Sequence, residues 1–328
     1  MNQKSEFFSL TPERVLDAVE SLGLRCTGFC MALNSYENRV YEVEVEMEDS
    51  RPPQNRRVVK FYRPGRWTRE QILEEHAFIY DLLEYEIPAV APVRFEDGST
   101  LRACPSSGIF YTVFPKVGGR SPDELDEDRL RRLGRLLGRM HGAGAAKKAV
   151  HRLRLGADTY GRSELDFLLN GNWIIPDFVS RYRAAAESII AVAGPMLANA
   201  PFQRLHGDCH FGNILWNDDG PFFVDFDDML SGPPVQDIWL VLPGRGMDAV
   251  GALGALLAGY EEMRSFDRGT LALIEPLRGL RMIRYAAWIA RRWDDPSFPR
   301  AFPEFGSHRY WSEETEALER QSRLALDL

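Results

Sequence analysis

Near the N-terminus, hydrophobic and polar residues alternate strictly. Tyr41, Val43, Val45 and Met47 are separated by Glu42, Glu44 and Glu46, the period of two of a half-buried strand. After a loop over 49–55 that contains Pro52-Pro53, the run Arg57-Val58-Val59-Lys60-Phe61-Tyr62 reads as the returning strand of a hairpin with a long tip. Elsewhere the period is helical. Thr11-Pro12-Glu13 opens a helix that Gly23 ends, with Thr as cap and Pro in the first turn. Thr68-Arg69-Glu70-Gln71 has capping-box spacing, and Ile72, Leu73, Ile79, Tyr80 and Leu83 form the stripe behind it. The stretches 92–95 and 109–114 predict two more strands, with a turn at Asp97-Gly98. The segment 114–119, with one Pro and paired Gly, predicts a boundary. Beyond it the pattern is helical over 126–141, with Gly142 as the stop, then over 165–175, 178–197, 249–263 and 271–292.

A polar loop interrupts this helical half. His206-Gly207-Asp208-Cys209-His210-Phe211-Gly212-Asn213 is closed by Ile214-Leu215-Trp216, and a short strand then delivers Asp225, Asp227 and Asp228. Phosphoryl transfer needs this inventory: one carboxylate to accept or orient the proton of the attacking hydroxyl, and an amide oxygen plus a second carboxylate to hold metal ions. Asp208 is the candidate base; Asn213 and Asp225 are the candidate metal ligands, suited to Mg²⁺ with ATP. The spacing His-x-Asp-x-x-x-x-Asn matches the kinase catalytic loop. A surface turn with a few acids would explain a lone His-x-Asp but not the joint pattern. A zinc site at His206, Cys209 and His210 lacks its remaining ligands.

In a kinase, the early hairpin covers the nucleotide and a strand lysine pairs with its phosphates. Lys60 fits that lysine, and Glu75 is the acid expected to pair with it, with Glu74 as competitor. No Gly-x-Gly-x-x-Gly is present, so Ser35 and the amides of the turn 34–38 would have to contact phosphate. Asp237, at a helix start, is expected to cap that helix or brace the catalytic loop. Arg278, Arg281 and Arg284 read as packing residues.

Composition narrows the classes. The 328 residues are 45% hydrophobic, enough for one or two lobes. Net charge is -8 and the pI about 5.4, with no Lys/Arg-rich block, so nucleic acid is not an expected partner. The acidic balance is weakly compatible with a cationic acceptor. Four scattered cysteines suit reduced thiols and the cytoplasm. No signal-peptide order is seen over 1–10, and the longest apolar run, 250–260, is too short for a membrane span.

The fuller pattern His-Gly-Asp-x-His-x-x-Asn with a strand-borne Asp resembles the aminoglycoside and choline phosphotransferases. More closely, 33–41, Val59-Lys60-Phe61-Tyr62-Arg63-Pro64, Gln71-Ile72-Leu73-Glu74-Glu75-His76, 205–210, Glu275-Pro276-Leu277-Arg278 and Arg291-Arg292-Trp293 resemble the bacterial stress response kinase A family. The resemblance implies an α+β, bilobal protein-kinase-like fold, with a small antiparallel β-sheet lobe at 1–115 and a mainly helical lobe at 116–328. It implies a cytoplasmic, ATP- and Mg²⁺-dependent kinase of protein Ser and Thr, itself included among its acceptors, linked to stress survival. Asp208 would be the proton acceptor, Asn213 and Asp225 the metal ligands, and Ser35 a nucleotide contact. Asp225-Phe226-Asp227 stands where eukaryotic protein kinases have Asp-Phe-Gly, which should restrict movement of that loop. Two other readings compete: a small-molecule kinase of amino alcohols or aminoglycosides, and a non-catalytic nucleotide-binding module. The last ranks lowest because Lys60, Asp208, Asn213 and Asp225 are all present.

Overall fold

The computed structural model describes residues 3–48, 50–105 and 107–327. Met1 and Asn2, in the N-terminal stretch, and Asp49, at the start of the expected hairpin tip, lie outside them. The chain divides into two compact units. One comprises Met1–Leu125, Val150–Arg152 and His210–Asp228; the other comprises Asp126–Ala149, Leu153–Cys209 and Met229–Leu328.

The first unit begins with helices α1 (Gln3–Phe8) and α2 (Pro12–Glu20), followed by strands β1 (Cys26–Ala32), β2 (Arg39–Val45) and β3 (Arg56–Phe61). Helix α3 (Arg69–Glu84) and strands β4 (Arg102–Ala103) and β5 (Phe110–Pro115) complete it. The strands pair antiparallel in the order β1-β2-β3-β5-β4. The expected hairpin is β2 with β3, placing Val40 opposite Lys60 and Tyr41 opposite Val59. Met47 falls beyond β2 and is exposed. Phe7, Val15 and Val19 of the two helices share a buried core with Val43, Val45, Val59, Phe61, Tyr111 and Val113 of the sheet. Each such side chain contributes about 1.5–3 kcal/mol on burial.

One strand expectation changes, and one strand carries no sequence signal. β1 is an edge strand with mostly exposed side chains, so no alternation marks it. The stretch 92–95 is not a strand: Pro92 has no N–H to give a ladder, and Val93 N–H makes one bond to Val113 O, 2.7 Å, before the chain turns. The short β4 takes the place beside β5 instead.

α3 starts with both arms of its capping box, Thr68 Oγ1 accepting from Gln71 N–H and Gln71 Oε1 from Thr68 N–H, 3.3 and 2.9 Å. Its buried face holds Ile72, Glu75, His76, Phe78, Ile79 and Leu82. The apolar stripe expected from the sequence lies to one side, since Leu83 is exposed. Three polar residues, Glu75, His76 and Asp81, are also buried along the helix. His76 is hydrogen-bonded by Tyr62 and Thr100, at 2.9 and 2.8 Å.

The second unit is mainly helical: α4 (Glu127–Ala146), α5 (Ser163–Asn170), α6 (Pro176–Asn199), α7 (Val235–Leu240), α8 (Met247–Glu261), α9 (Ile274–Arg291), α10 (Ser297–Ala301) and α11 (His308–Leu326). Gly142 does not stop α4, which runs on to Ala146. The tightest crossing is α4 on α8. A Cβ on Gly134 would lie 2.0 Å from Leu256 O, and one on Gly259 would lie 1.9 Å from Arg131 O. The absent side chains therefore let the backbones touch. That crossing fixes His141, near the C-terminal end of α4, against Tyr260 of α8, Nδ1 to Oη 3.0 Å.

Candidate active site

The loop with the candidate base is built inside the second unit. The buried strand Gln203–Leu205 pairs with Leu230–Gly232 and leads into His206, which is fully buried. Gly207 turns the chain at φ 86°, a conformation that suits glycine. Asp237 of α7 then accepts three hydrogen bonds: from His206 N–H at 3.0 Å, Gly207 N–H at 2.9 Å and His141 Nε2 at 3.1 Å. Gln236 Nε2 donates to Gly207 O, 3.1 Å. Of the two roles expected for Asp237, the structure gives it the brace. Asp208 follows, its side chain 24% exposed, with Arg281 Nη1 2.8 Å from its Oδ1. Cys209 is buried, and burial first, then Asp237 and Asp208, pushes its thiol far up. It packs rather than reacts.

Lys60, Glu75, Asn213 and Asp225 belong to the first unit. His210 Nδ1 accepts from Gly212 N–H, 3.0 Å, and caps the tight turn Phe211–Asn213. The hairpin Ile214–Asn217 with Gly220–Phe223 follows. Val224 N–H donates to Asn213 O, 3.0 Å, which sets Asn213 beside the segment that carries Asp225. Asp225 lies at φ 57°, a conformation costly for a residue with a Cβ. Lys60 Nζ is 3.0 Å from Asp225 Oδ1, 3.0 Å from Asp227 Oδ1 and 3.7 Å from Glu75 Oε1. Burial opposes the charge on Lys60, but Asp225, Asp227 and Glu75 together outweigh it and hold the ammonium protonated. Glu75 also takes Arg152 Nη2, 2.6 Å. Burial lifts Glu75 to about 7, with Lys60 and Arg152 pulling the other way. The competitor Glu74 points elsewhere and accepts the N–H groups of Val150, His151 and Arg152, at 2.5, 2.8 and 2.6 Å.

Asp227 is the fixed point of this cluster. It is 4% exposed, paired with Arg66 and Lys60, and its carbonyl accepts Arg152 Nη1, 2.8 Å. Burial raises its carboxyl, yet Arg66, then Lys60 and Arg152, hold it well below the usual range. Arg66 also reaches Asp228, 2.7 Å, and Glu37, 3.4 Å. Ser35 Oγ accepts Asn38 N–H, 3.4 Å, inside the turn 34–38, and the Arg63 guanidinium donates to the carbonyls of Glu37 and Tyr36, both 2.9 Å.

The pattern of the phosphotransferase enzyme family matches residues 30–274. The chain belongs to that family. Within it, the chain is 41% identical over 325 residues to stress response kinase A of Escherichia coli K12, covering 98% of this chain and 96% of that one. A relative in Salmonella typhimurium, 38% identical and covering 97% and 94%, is named serine/threonine protein kinase RdoA. Amicoumacin kinase, solved with AMP-PNP, Ca²⁺ and Ami, superposes with a TM-score of 0.73 at 19% identity over 97% and 96% of the two chains. A microcompartment-associated aminopropanol kinase gives 0.63 at 17% identity, over 95% of each. The fold is thus the expected α+β kinase-like one.

Membership in the phosphotransferase enzyme family implies ATP and a divalent metal. The donors offered, the Asp225 carboxylate and the Asn213 amide, are hard oxygens that fit such a cation. Among the described residues no group of three or more His, Cys, Asp or Glu is preassembled as a metal site. Sequence reasoning missed Arg63, Arg66, Arg152 and Arg281. Arg63 lies in the stretch 59–64 and Arg66 two residues beyond it, but nothing local distinguishes Arg152.

Proposed function

We propose that the chain is an ATP- and Mg²⁺-dependent kinase of protein Ser and Thr hydroxyls, serving a bacterial stress response in the cytoplasm. The observation that carries the phosphotransfer reading is Lys60 held between Asp225, Asp227 and Glu75. The protein acceptor is supported by the relative named as a serine/threonine protein kinase. The four free cysteines suit a reducing compartment.

In this reading Asp208 accepts the proton of the acceptor hydroxyl as its oxygen attacks the γ-phosphorus and the bond to ADP breaks. Its partial exposure suits a group that must meet an acceptor. Lys60 holds the nucleotide phosphates, and Glu75 keeps its ammonium in place. Ser35 and the turn amides contact the nucleotide. Asn213 and Asp225 hold Mg²⁺, which when bound neutralises phosphate oxygens. The segment 114–119 joins a nucleotide-covering lobe, 1–115, to the lobe 116–328.

A second reading, transfer to a small alcohol, draws on the solved relatives named for amicoumacin and aminopropanol, a likeness of fold alone. Radiolabelled transfer from ATP to a generic protein, to the chain itself and to small alcohols separates the two. Label reaching only a small alcohol would reverse the choice. Asp208→Ala should cut transfer about 10²–10⁴-fold while nucleotide binding persists; full activity in that variant would remove its role as base.

A further inference from the structure

On α9, Arg278, Arg281, Tyr285 and Trp288 recur at spacings of three, four and three, which gathers them on one face. Ile283, Ala286 and Ala287 between them are fully buried, and on the opposite face Arg281 and Tyr285 are the two that reach solvent, with Arg278 and Trp288 partly buried beside them. Arg281 sits mid-face, 2.8 Å from Asp208 Oδ1, with its side chain still 41% exposed. Its neighbours are engaged elsewhere. Arg284 and Arg291 share Glu164 at 3.2 and 2.6 Å, and Arg278 Nη2 donates to Gly244 O, 2.7 Å. α9 carries four arginines against one acid, Glu275, a basic strip in a chain of net charge -8. One turn beyond Arg281, Tyr285 is 48% exposed and stacked on Trp288, ring centroids 5.5 Å apart.

We propose that Arg281 selects the acceptor: it binds an anionic group beside the hydroxyl that Asp208 addresses, so the acceptor is a Ser or Thr peptide with acidic flanking side chains. This rests on the phosphotransfer role given to Asp208 above. A carboxylate paired with a guanidinium is a weakened proton acceptor. An incoming acidic side chain gives the planar, five-donor guanidinium a second anion to share and leaves Asp208 freer for the hydroxyl. A cationic acceptor would instead set its charge against Arg281. Tyr285 and Trp288 offer a flat surface to the rest of the peptide. Arg281 is thus a positioning residue for Asp208 and a specificity residue for the acceptor.

The test uses matched Ser peptides flanked by Asp and Glu or by Lys and Arg, with the full-length chain and its Arg281→Gln and Arg281→Lys variants. Wild type should favour the acidic set in kcat/KM by about tenfold or more, chiefly through KM. Arg281→Gln should erase the preference and Arg281→Lys keep part of it. Equal use of both sets by wild type, a preference for the basic set, or a preference that survives Arg281→Gln would overturn the inference. The wild-type comparison stands even if a variant fails to fold. Fluorescence anisotropy of the same labelled peptides with AMP-PNP separates the two readings. Acidic-selective binding without transfer removes the kinase reading and keeps the selectivity. Transfer without charge preference does the reverse.

Discussion

Lys60 and Asp237 are both buried charged residues, at 4% and 0% exposure, yet they are satisfied by different means. Lys60 lies among side-chain charges: Asp225, Asp227 and Glu75 around it, with Arg66 and Arg152 behind them. Among the described residues, Asp237 has no Lys or Arg ion pair of that kind. Two of its three donors are the backbone amides of His206 and Gly207, and the third is His141. The first arrangement gathers three carboxylates around one buried ammonium. The second fixes the path of the chain just before Asp208. Charge clusters can be re-paired when a ligand arrives, whereas a carboxylate satisfied by peptide amides has no alternative partner, so the two regions should fail differently.

The largest effect is expected from Asp237→Ala. It strands three buried donors at once, and each unsatisfied group costs about 1–3 kcal/mol. Chemical denaturation should show a loss of roughly 3–9 kcal/mol, with phosphotransfer lost in any protein that still folds. A loss under about 1 kcal/mol would mean that the loop does not depend on this brace.

In the charge cluster, Asp227→Asn keeps the shape and removes the charge. Arg66 and Lys60 are then left short of an anion, and breaking a buried pair in this way costs about 3–5 kcal/mol. Asp225 and Glu75 remain to compensate, so the cost should fall at the low end of that range and below that of Asp237→Ala. The same cluster explains the missing glycine of Asp225-Phe226-Asp227. The third residue of that segment is pinned by Arg66 and Lys60 through its side chain and by Arg152 through its carbonyl. A glycine there would keep the carbonyl contact to Arg152 and lose the side-chain contacts to Arg66 and Lys60.

What was legible in the sequence follows the same division. The candidate site residues stood out by their local pattern: Lys60 on its alternating strand, and Asp208, Asn213 and Asp225 at fixed spacing in one run. The capping box of α3 and the hairpin of β2 and β3 were legible because their signals are local. The supports were not. Arg152 comes from a three-residue segment far along the chain from Glu75, and the pairing exists only in the folded state. Arg281 looked like a packing arginine because helical spacing says nothing of what an exposed tip meets. Glu75 and His76 broke the apolar stripe of α3, and only their partners inside explain why they are buried.

The pH profile sharpens the contrast, since Glu75 and Asp227 of the charge cluster have shifted values. Burial first, then Lys60 and Arg152, lowers His76 to about 3, against about 6.5 when unfolded. Its depressed value means stability that is present above pH 6.5 and lost as pH falls towards 3. Glu75, lifted to about 7, has the opposite sign: its contribution is fully present below its unfolded value near 4.5 and lost as pH rises through 7. Between about 6.5 and 4.5 the two oppose, each with a slope of at most about 1.4 kcal/mol per pH unit. Below that window His76 and the depressed Asp227 both act to destabilise. The thermal midpoint should therefore stay nearly level from pH 6.5 to 4.5 and drop below it. In His76→Gln it should rise as pH falls from 7 to 4.5. A wild-type midpoint already falling steeply at pH 6 would show that Glu75 is not raised.

The smallest effect separates two adjacent acids. Glu74 accepts three backbone N–H groups of Val150–Arg152, and Glu75 pairs with Lys60 and Arg152. Glu74→Gln keeps an oxygen for one or two of those amides but loses the charge that strengthens them, a change of about 1 kcal/mol. Arg152 belongs to the segment that Glu74 holds, so loosening it reaches Glu75 and Asp227 only through a side chain that both acids still attract. Glu74→Gln should therefore lower stability by about 1 kcal/mol and leave the KM for ATP within about twofold, less than RT in free energy. Glu75→Gln should raise that KM clearly more, because the Lys60 ammonium loses one of its three carboxylates. Equal kinetic effects from the two substitutions would mean that the segment 150–152, rather than the pairing of Lys60 with Glu75, is what the nucleotide senses.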